Sequence, residues 1–210
     1  MKNILFSIVL FLFSLTIFAQ EKSEVKASKF GFAVDAKMGS ATFLQTGKVD
    51  LNGSVNVGKF LFYYTSSDGS SSISLGIEEL QFKANGVSAG ENYALDQKHL
   101  RIPLNYSYSL SILKDHLDEK LQAYAGVGVY ANTLRKEKIQ TLEETYKNKN
   151  QGWNGGFGFE VGLVFQVAKD LNFGIGFETQ SDFSKMKKNE IKRKLEGIST
   201  VNFRLQFVIN

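Results

Sequence analysis

The sequence predicts an all-β protein: an eight-stranded antiparallel up-and-down transmembrane β-barrel. Apolar and polar residues alternate with a period of two through most of the chain, and short and long connectors alternate between the segments. The composition of 18 Phe and 19 Gly with one Pro among 210 residues favours strands over helices. The absence of Cys excludes disulfides and thiolate sites, and two His leave little for a histidine-based metal site.

Residues 1–19 are predicted to be a cleaved signal peptide, and residues 20–210 the barrel domain. Lys2 precedes an apolar run from Ile4 to Phe18, and Ala19 is the small residue expected at a cleavage site. The alternative, a membrane anchor, is less favoured because the run is shorter than the ~20 residues a spanning helix needs. The mature chain then carries one positive charge less than the +4 of the whole sequence.

Period-two alternation divides the remaining chain into eight strands. It is clearest over residues 200–210, where Val, Phe, Leu and Ile alternate with Asn, Arg and Gln. The predicted strands are residues 29–40, 49–65, 71–83, 97–113, 120–134, 153–168, 171–183 and 198–209. The phase changes at Gly58-Lys59 and at Glu78-Glu79, which predicts a β-bulge at each place. Pro103 cannot donate a ladder hydrogen bond, so it predicts a bulge or a local irregularity.

The connectors differ in length in a regular order. The short ones are residues 66–70, 114–119 and 169–170, and the longer ones are residues 41–48, 84–96, 135–152 and 184–197. This order is typical of outer-membrane barrels, which have short periplasmic turns and long extracellular loops. An even number of strands then places both chain ends on the periplasmic side.

The two faces of the strands indicate which one meets lipid. The apolar face is bulky and carries no charge in the last four strands, whereas the polar face is mostly Gly, Asn, Ser and Gln. Small side chains suit the narrow interior of an eight-stranded barrel. The polar face also carries seven isolated charges that are expected to pair inside: Asp35, Lys37, Glu78, Arg101, Glu160, Glu178 and Arg204. We therefore predict an apolar exterior and a lumen filled by Tyr, Arg and Glu, with no open pore.

Three motifs in order resemble the PorT-like outer-membrane β-barrel family of Gram-negative bacteria. They are the L-x-I-P-L strand at residues 100–104, the A-G-x-G strand at residues 125–128, and the Ala168-Lys169-Asp170 turn of a Gly-rich hairpin. The resemblance covers the C-terminal half well and the N-terminal strands loosely, and it implies an outer-membrane barrel. The chain departs from the family at its end, where Asn210 stands in place of the usual aromatic residue.

We predict no catalytic, cofactor-binding or metal-binding residue, and no cofactor. Residues 126–131 fit the pattern G-x-G-x-x-A, but strand alternation continues through them where a dinucleotide site needs a helix. His99 is a candidate base for a hydrolase, with Ser88 or Ser111 as distant nucleophiles. No serine lies two residues away on the same face, so catalysis is disfavoured.

The predicted function is a structural or interaction-scaffold role at the cell envelope, exerted through long extracellular loops. The alternative is a lipid-modifying enzyme or a small-ligand carrier in the barrel mouth. Expected partners of this monomer are outer-membrane lipids and lipopolysaccharide, with other envelope proteins left open and nucleic acid excluded. The basic loop at residues 185–197 is either a solvated loop or a set of contacts for lipopolysaccharide phosphates or another acidic surface. Its basic residues are Lys185, Lys187, Lys188, Lys192, Arg193 and Lys194.

Overall fold

A computed structural model describes residues 29–47, 49–88, 91–112, 121–149, 152–168, 170–188 and 191–209. The predicted signal peptide at residues 1–19 and the predicted connector at residues 114–119 lie outside the described residues. Ten strands are present in these ranges: β1 (Lys29–Gln45), β2 (Leu51–Thr65), β3 (Ser71–Ser88), β4 (Glu91–Ser111), β5 (Leu121–Gln140), β6 (Thr145–Lys149), β7 (Trp153–Ala168), β8 (Leu171–Asp182), β9 (Met186–Lys188) and β10 (Ile191–Ile209). Among the described residues, no helix is long and apolar enough to cross a membrane.

Eight of the strands form a closed antiparallel ring in the order β1-β2-β3-β4-β5-β7-β8-β10, and β10 pairs again with β1. The predicted eight-stranded up-and-down barrel is therefore confirmed. The two remaining strands are short and extend the wall at one end. β6 pairs with the last five residues of β5, and β9 pairs with the first three residues of β10.

Segments predicted as long loops are mostly strand. β3 and β4 continue to Ser88 and Glu91, so the predicted loop 84–96 is a hairpin. Residues 136–149 form a second hairpin of β5 and β6, and β9 with the start of β10 forms a third. β1 likewise runs on to Gln45. The prediction missed these extensions because their outward faces carry charged residues, a composition that is typical of loops. We call this end of the barrel the outer extension.

A belt of exposed apolar side chains surrounds the other part of the barrel. On β7 it runs from Phe157 to Val167, and on β10 from Val201 to Ile209. The ten residue steps on β7 correspond to roughly 33 Å along the strand. Allowing for strand tilt, this gives a band roughly 25 Å tall, the height of the apolar band on outer-membrane barrels.

The two β-bulges predicted at Gly58-Lys59 and Glu78-Glu79 are wrong. The pairing of β2 with β1 and with β3 continues through both places without a register shift. Successive side chains continue to alternate between the inward and outward faces of the wall. What changes along the strand is which of the two faces is apolar. Phe60 and Phe62 point outward in the belt, whereas Val55 and Val57 point into the barrel of the outer extension. Polarity is thus inverted between the two parts of the same wall.

The same inversion occurs on β3. Ile73, Leu75 and Ile77 are exposed in the belt, whereas Leu80 and Phe82 are completely buried inside. The outward residues of the outer extension are polar, as on β2, where they are Asn52, Ser54 and Asn56. A wall surrounded by water needs this arrangement, because apolar side chains are then stabilised inside and polar ones outside.

Pro103 produces the predicted local irregularity but no bulge. The β3–β4 ladder has no pairs between Leu75↔Leu104 and Glu78↔Arg101, and the register is the same on both sides of this gap. The missing N–H donor of Pro103 accounts for the gap. The β4–β5 register instead shifts between Lys98 and His99.

Candidate functional site

The interior of the barrel contains a layer of charged side chains at the level of the belt. All seven charges predicted to face inward do so, and Lys59 and Asp182 join them. The sequence pattern did not identify these two residues, because Lys59 stands at the apparent phase change and Asp182 at the end of a strand. None of these nine side chains faces lipid, so every charge depends on partners within the lumen.

Arg204 organises one half of the charged layer. It donates two hydrogen bonds of 2.8 Å to Asp35, and its Nη2 also donates to Oε1 of Glu160 at 2.9 Å. The same Oε1 accepts hydrogen bonds of 2.6 Å from the Tyr124 hydroxyl and from the Asn202 amide. Every carboxylate in this group is therefore opposed by a cation or a donor, as burial of charge requires.

The second half of the layer connects five strands through alternating charges. Lys37 is hydrogen-bonded to Glu178, and its Nζ lies 3.5 Å from Oε2 of Glu78. Nη1 of Arg101 lies 3.4 Å from Oε1 of Glu78, and its Nη2 lies 3.8 Å from Oδ1 of Asp182. Lys59 Nζ completes the set at 3.8 Å from Oε1 of Glu178. The network spans the lumen, so charged side chains from opposite walls of the barrel pair with each other.

Tyrosine rings occupy the space that glycines leave on neighbouring strands. A Cβ added at Gly156 would lie 2.1 Å from the ring of Tyr130, and one at Gly162 would lie 2.7 Å from the ring of Tyr124. The Tyr130 ring also lies under the Arg101 guanidinium, 4.4 Å from centroid to Cζ. The lumen at this level is thus filled by Tyr, Arg and Glu, as predicted.

An apolar cluster follows the charged layer in the outer extension. Its buried members are Ala41, Phe43, Val55, Val57, Leu80, Phe82, Ala84, Leu95, Leu195 and Ile198. They lie beyond Lys37, Lys59 and Glu78 on β1, β2 and β3. We call this cluster the apolar plug. It is the hydrophobic core of the part of the barrel that protrudes from the belt.

A cavity of about 580 Å³ lies on the opposite side of the charged layer, at the end with the short turns. Hydroxyl and amide groups line most of its wall, and Tyr63, Tyr124 and Arg204 lie at its inner end. The polar lining includes Ser72, Ser74, Ser107, Ser109, Ser111, Gln122, Gln166, Asn172 and Gln206. We call this cavity the vestibule. Its volume lies within the range of ordinary small-molecule sites.

The residues considered as a possible hydrolase site, His99 with Ser88 or Ser111, are not shown to form a catalytic arrangement. His99 is completely buried, with its ring nitrogens 3.3 Å from the Asn132 and Gln97 side-chain oxygens. Ser111 lies on the same strand twelve residues away, which is roughly 40 Å along an extended strand. The side chain of Ser88 is not among those that the structure describes. Within the described ranges, no group of three or more His, Asp or Glu side chains could hold a metal ion.

The basic residues predicted for one loop point in different directions. Arg193 faces inward, where its Nη2 lies 3.6 Å from Oε1 of Glu137. Lys194 forms an ion pair with Glu196, while Lys187 and Lys192 stand opposite each other on the exposed face of the β9–β10 hairpin. The set of six therefore does not form a single surface.

Two solved structures with the same architecture come from bacterial surface and outer-membrane proteins. A major outer membrane protein from Thermus thermophilus superimposes with a TM-score of 0.54 and 12% identity, over 87% of this chain and 100% of that one. Neisserial surface protein A gives a TM-score of 0.51 and 12% identity, over 87% of this chain and 99% of the other. The chain has the fold of an eight-stranded outer-membrane β-barrel. No protein-family model and no curated protein matches the sequence, so the PorT-like resemblance stays a prediction.

Proposed function

We propose that the chain is a non-conducting outer-membrane barrel that displays its outer extension as an interaction scaffold at the cell surface. The observation that carries the proposal is the inversion of polarity along the wall: an apolar belt outside a charged lumen, followed by a polar exterior around the apolar plug. A wall with this pattern is suited to crossing a bilayer and then continuing into water. The predicted signal peptide would deliver the chain to that location.

A closed lumen supports a non-conducting role. A path along the axis would have to pass the ion pairs of Lys37, Arg101 and Arg204 and then the apolar plug. Opening it would leave buried charges without partners, which is strongly unfavourable. We therefore propose a structural and recognition role rather than transport.

A non-enzymatic role is part of the same proposal. Among the described side chains, His99 is hydrogen-bonded to the amides of Asn132 and Gln97. The expected partners are outer-membrane lipids and lipopolysaccharide around the belt, with other envelope proteins docking on the outer extension. The monomer contains all eight ring strands, so closure needs no second copy.

Fractionation of cells tests the location. The protein is expected in the outer-membrane fraction, released only by detergent, with gel mobility that changes on boiling because the folded barrel resists the detergent. Recovery in the soluble periplasmic fraction without detergent would overturn the proposal. Planar-bilayer recording then tests the closed lumen: the folded protein is expected to give no conductance steps, and regular porin-like steps would contradict it.

A second candidate function, a carrier for a neutral polar ligand, is favoured by the vestibule. Hydroxyl and amide groups dominate its lining, so it suits hydroxyl-rich ligands such as short saccharides. Calorimetric titration of the folded protein with an N-acetylglucosamine disaccharide tests it. Binding should be lost in Ser107→Leu, which fills the vestibule, and kept in Ser54→Leu on the outside of β2. No saturable heat in the unaltered protein would eliminate this candidate.

A further inference from the structure

Six lysines cover the outward face of two neighbouring hairpins in the outer extension. They are Lys136, Lys138, Lys147, Lys149, Lys187 and Lys192, and we call them the lysine face. The first four belong to the β5–β6 hairpin and the last two to the β9–β10 hairpin. Nζ of Lys188 donates a 3.1 Å hydrogen bond to the Lys149 carbonyl, which joins the two hairpins side by side.

Strand register places these lysines in pairs of like charge. Lys136 stands directly opposite Lys149, Lys138 opposite Lys147, and Lys187 opposite Lys192. Like charges in directly opposite positions destabilise a strand pair. On β4, Lys98 also stands opposite Lys136, and Asp96 stands opposite Lys138, so one carboxylate borders the lysine face. Asp96 faces Lys83 on its other side. Three like-charged pairs on adjoining hairpins give this surface a high density of positive charge, which attracts multivalent anions.

The lysine face also lies at a defined height above the belt. Trp153, at the start of β7, is exposed on the outward face and paired with Thr133 of β5. Aromatic side chains of this kind mark the boundary between lipid and water in outer-membrane barrels. Lys136 follows Thr133 by three residues, or roughly 10 Å along the strand. Lipid phosphate groups occupy this zone just outside the hydrocarbon.

We propose that the lysine face binds phosphate groups of anionic lipids in the outer leaflet and so recruits these lipids to one side of the barrel. The inference rests on the proposed outer-membrane placement. Six ammonium groups on one surface concentrate a multivalent anion and act as point charges for phosphate. Contacts of this kind are weakened by salt, because the lysines are exposed.

Trp153 is the single tryptophan of the chain and reports on the lipids nearest to the lysine face. The full chain is folded into phosphatidylcholine nanodiscs that contain either spin-labelled phosphatidic acid or spin-labelled phosphatidylcholine, labelled near the carbonyl end of the acyl chain. Phosphatidic acid is expected to quench Trp153 at least twofold more strongly, and the excess should disappear in molar salt. Equal quenching by the two labelled lipids would overturn the proposal.

Two matched double variants test which lysines are responsible. Lys138→Gln with Lys147→Gln should remove most of the excess quenching. Lys83→Gln with Lys194→Gln removes two lysines of the outer extension that lie next to acids, Asp96 and Glu196, and should keep it. Equal loss in both variants would mean a general charge effect and would overturn the assignment. Single Lys147→Glu gives a second readout: it should raise the melting temperature, since Lys138 gains an opposite charge, while it lowers the quenching.

Two further outcomes have separate meanings. Loss of the excess on addition of millimolar inorganic phosphate would identify a site for soluble phosphate instead of lipid. Absence of quenching by either labelled lipid would mean that Trp153 does not lie at a bilayer surface, and the proposed membrane placement itself would fail.

Discussion

Arg204 on β10 donates two hydrogen bonds of 2.8 Å to the carboxylate of Asp35, the residue directly opposite on β1. These two strands are the pair that closes the barrel, so a forked ion pair lies across the seam between β1 and β10. The same guanidinium reaches Glu160 on β7 at 2.9 Å. One arginine therefore compensates two carboxylates inside the lumen and connects three strands of the ring.

Replacement of Arg204 by Gln should destabilise the barrel by roughly 3–5 kcal/mol, because Asp35 and Glu160 would remain buried without their cation. Urea-induced unfolding in phospholipid vesicles, followed by the boiling-dependent gel shift, measures the loss. Lys194→Gln on the same strand is the control; its partly exposed pair with Glu196 should contribute less than about 1 kcal/mol. Adding Asp35→Asn to Arg204→Gln should restore part of the stability. Equal losses for the two single variants would contradict a special role for the seam.

Alternation along the chain was sufficient to predict the eight-stranded ring and the seven inward charges. It identifies the two faces of each strand. Over the last four strands one face is bulky and apolar and the other is small and polar, and this difference identifies the side that faces lipid and the side that faces the lumen. The prediction of β-bulges at Gly58-Lys59 and Glu78-Glu79 failed for a physical reason. A bulge and a change of surroundings from lipid to water produce the same apparent phase change in sequence, and only cross-strand register separates them.

The candidate sites were less accessible to prediction. The vestibule brings together serines and amides from several strands, and the lysine face depends on which lysines stand opposite each other in two hairpins. Lysine-rich sequence alone is typical of solvated loops. These relationships arise from pairings between distant segments, which a single sequence does not reveal.

The inversion of polarity predicts opposite responses on one face of β3. Leu75 and Asn85 both point outward, ten residues apart, the first within the belt and the second in the outer extension. Leu75→Arg should cost roughly 2–4 kcal/mol in vesicles, because a lipid-facing charge is penalised most near the bilayer midplane. Asn85→Arg should change stability by less than about 0.5 kcal/mol, as surface substitutions usually do.

Unfolding midpoints of both variants in vesicles and in detergent measure this difference. The penalty of Leu75→Arg should shrink in detergent micelles, where water reaches the side chain more easily. If the two arginines cost the same in vesicles, the boundary between belt and outer extension is misplaced.

The turn between β2 and β3 predicts a local titration. The hydroxyls of Ser66 and Ser70 both donate to the Asp68 carboxylate and hold its pKa below the ordinary value. A carboxyl with a lowered pKa stabilises the folded state above its unfolded pKa, and this contribution is lost as pH falls through the folded pKa. The double variant Ser66→Ala, Ser70→Ala should raise the Asp68 pKa toward its ordinary value. NMR titration of the side-chain carboxyl in micelles measures the change, and an unaltered pKa would rule out the hydroxyls as its cause.

The fit between glycines and tyrosines predicts a steric effect at Gly156. A Cβ at this position would lie 2.1 Å from Cζ and from the hydroxyl oxygen of Tyr130, so the ring would have to move. Movement of the ring would disturb its contact with the Arg101 guanidinium and its 2.9 Å hydrogen bond to Asp182. Gly156→Ala should therefore destabilise the barrel by roughly 1–3 kcal/mol, the usual cost of overpacking.

Gly58 supplies the matched control for this substitution. It also lies within a strand, but a Cβ added there meets no heavy atom within 4 Å, so Gly58→Ala should leave stability unchanged or raise it slightly. The cost of Gly156→Ala should fall in a Tyr130→Leu background, because the branched side chain leaves the space that the ring occupied. Urea midpoints of the unaltered protein and of the four variants measure both effects. An undiminished cost in that background would show that the Tyr130 ring is not what excludes a side chain at position 156.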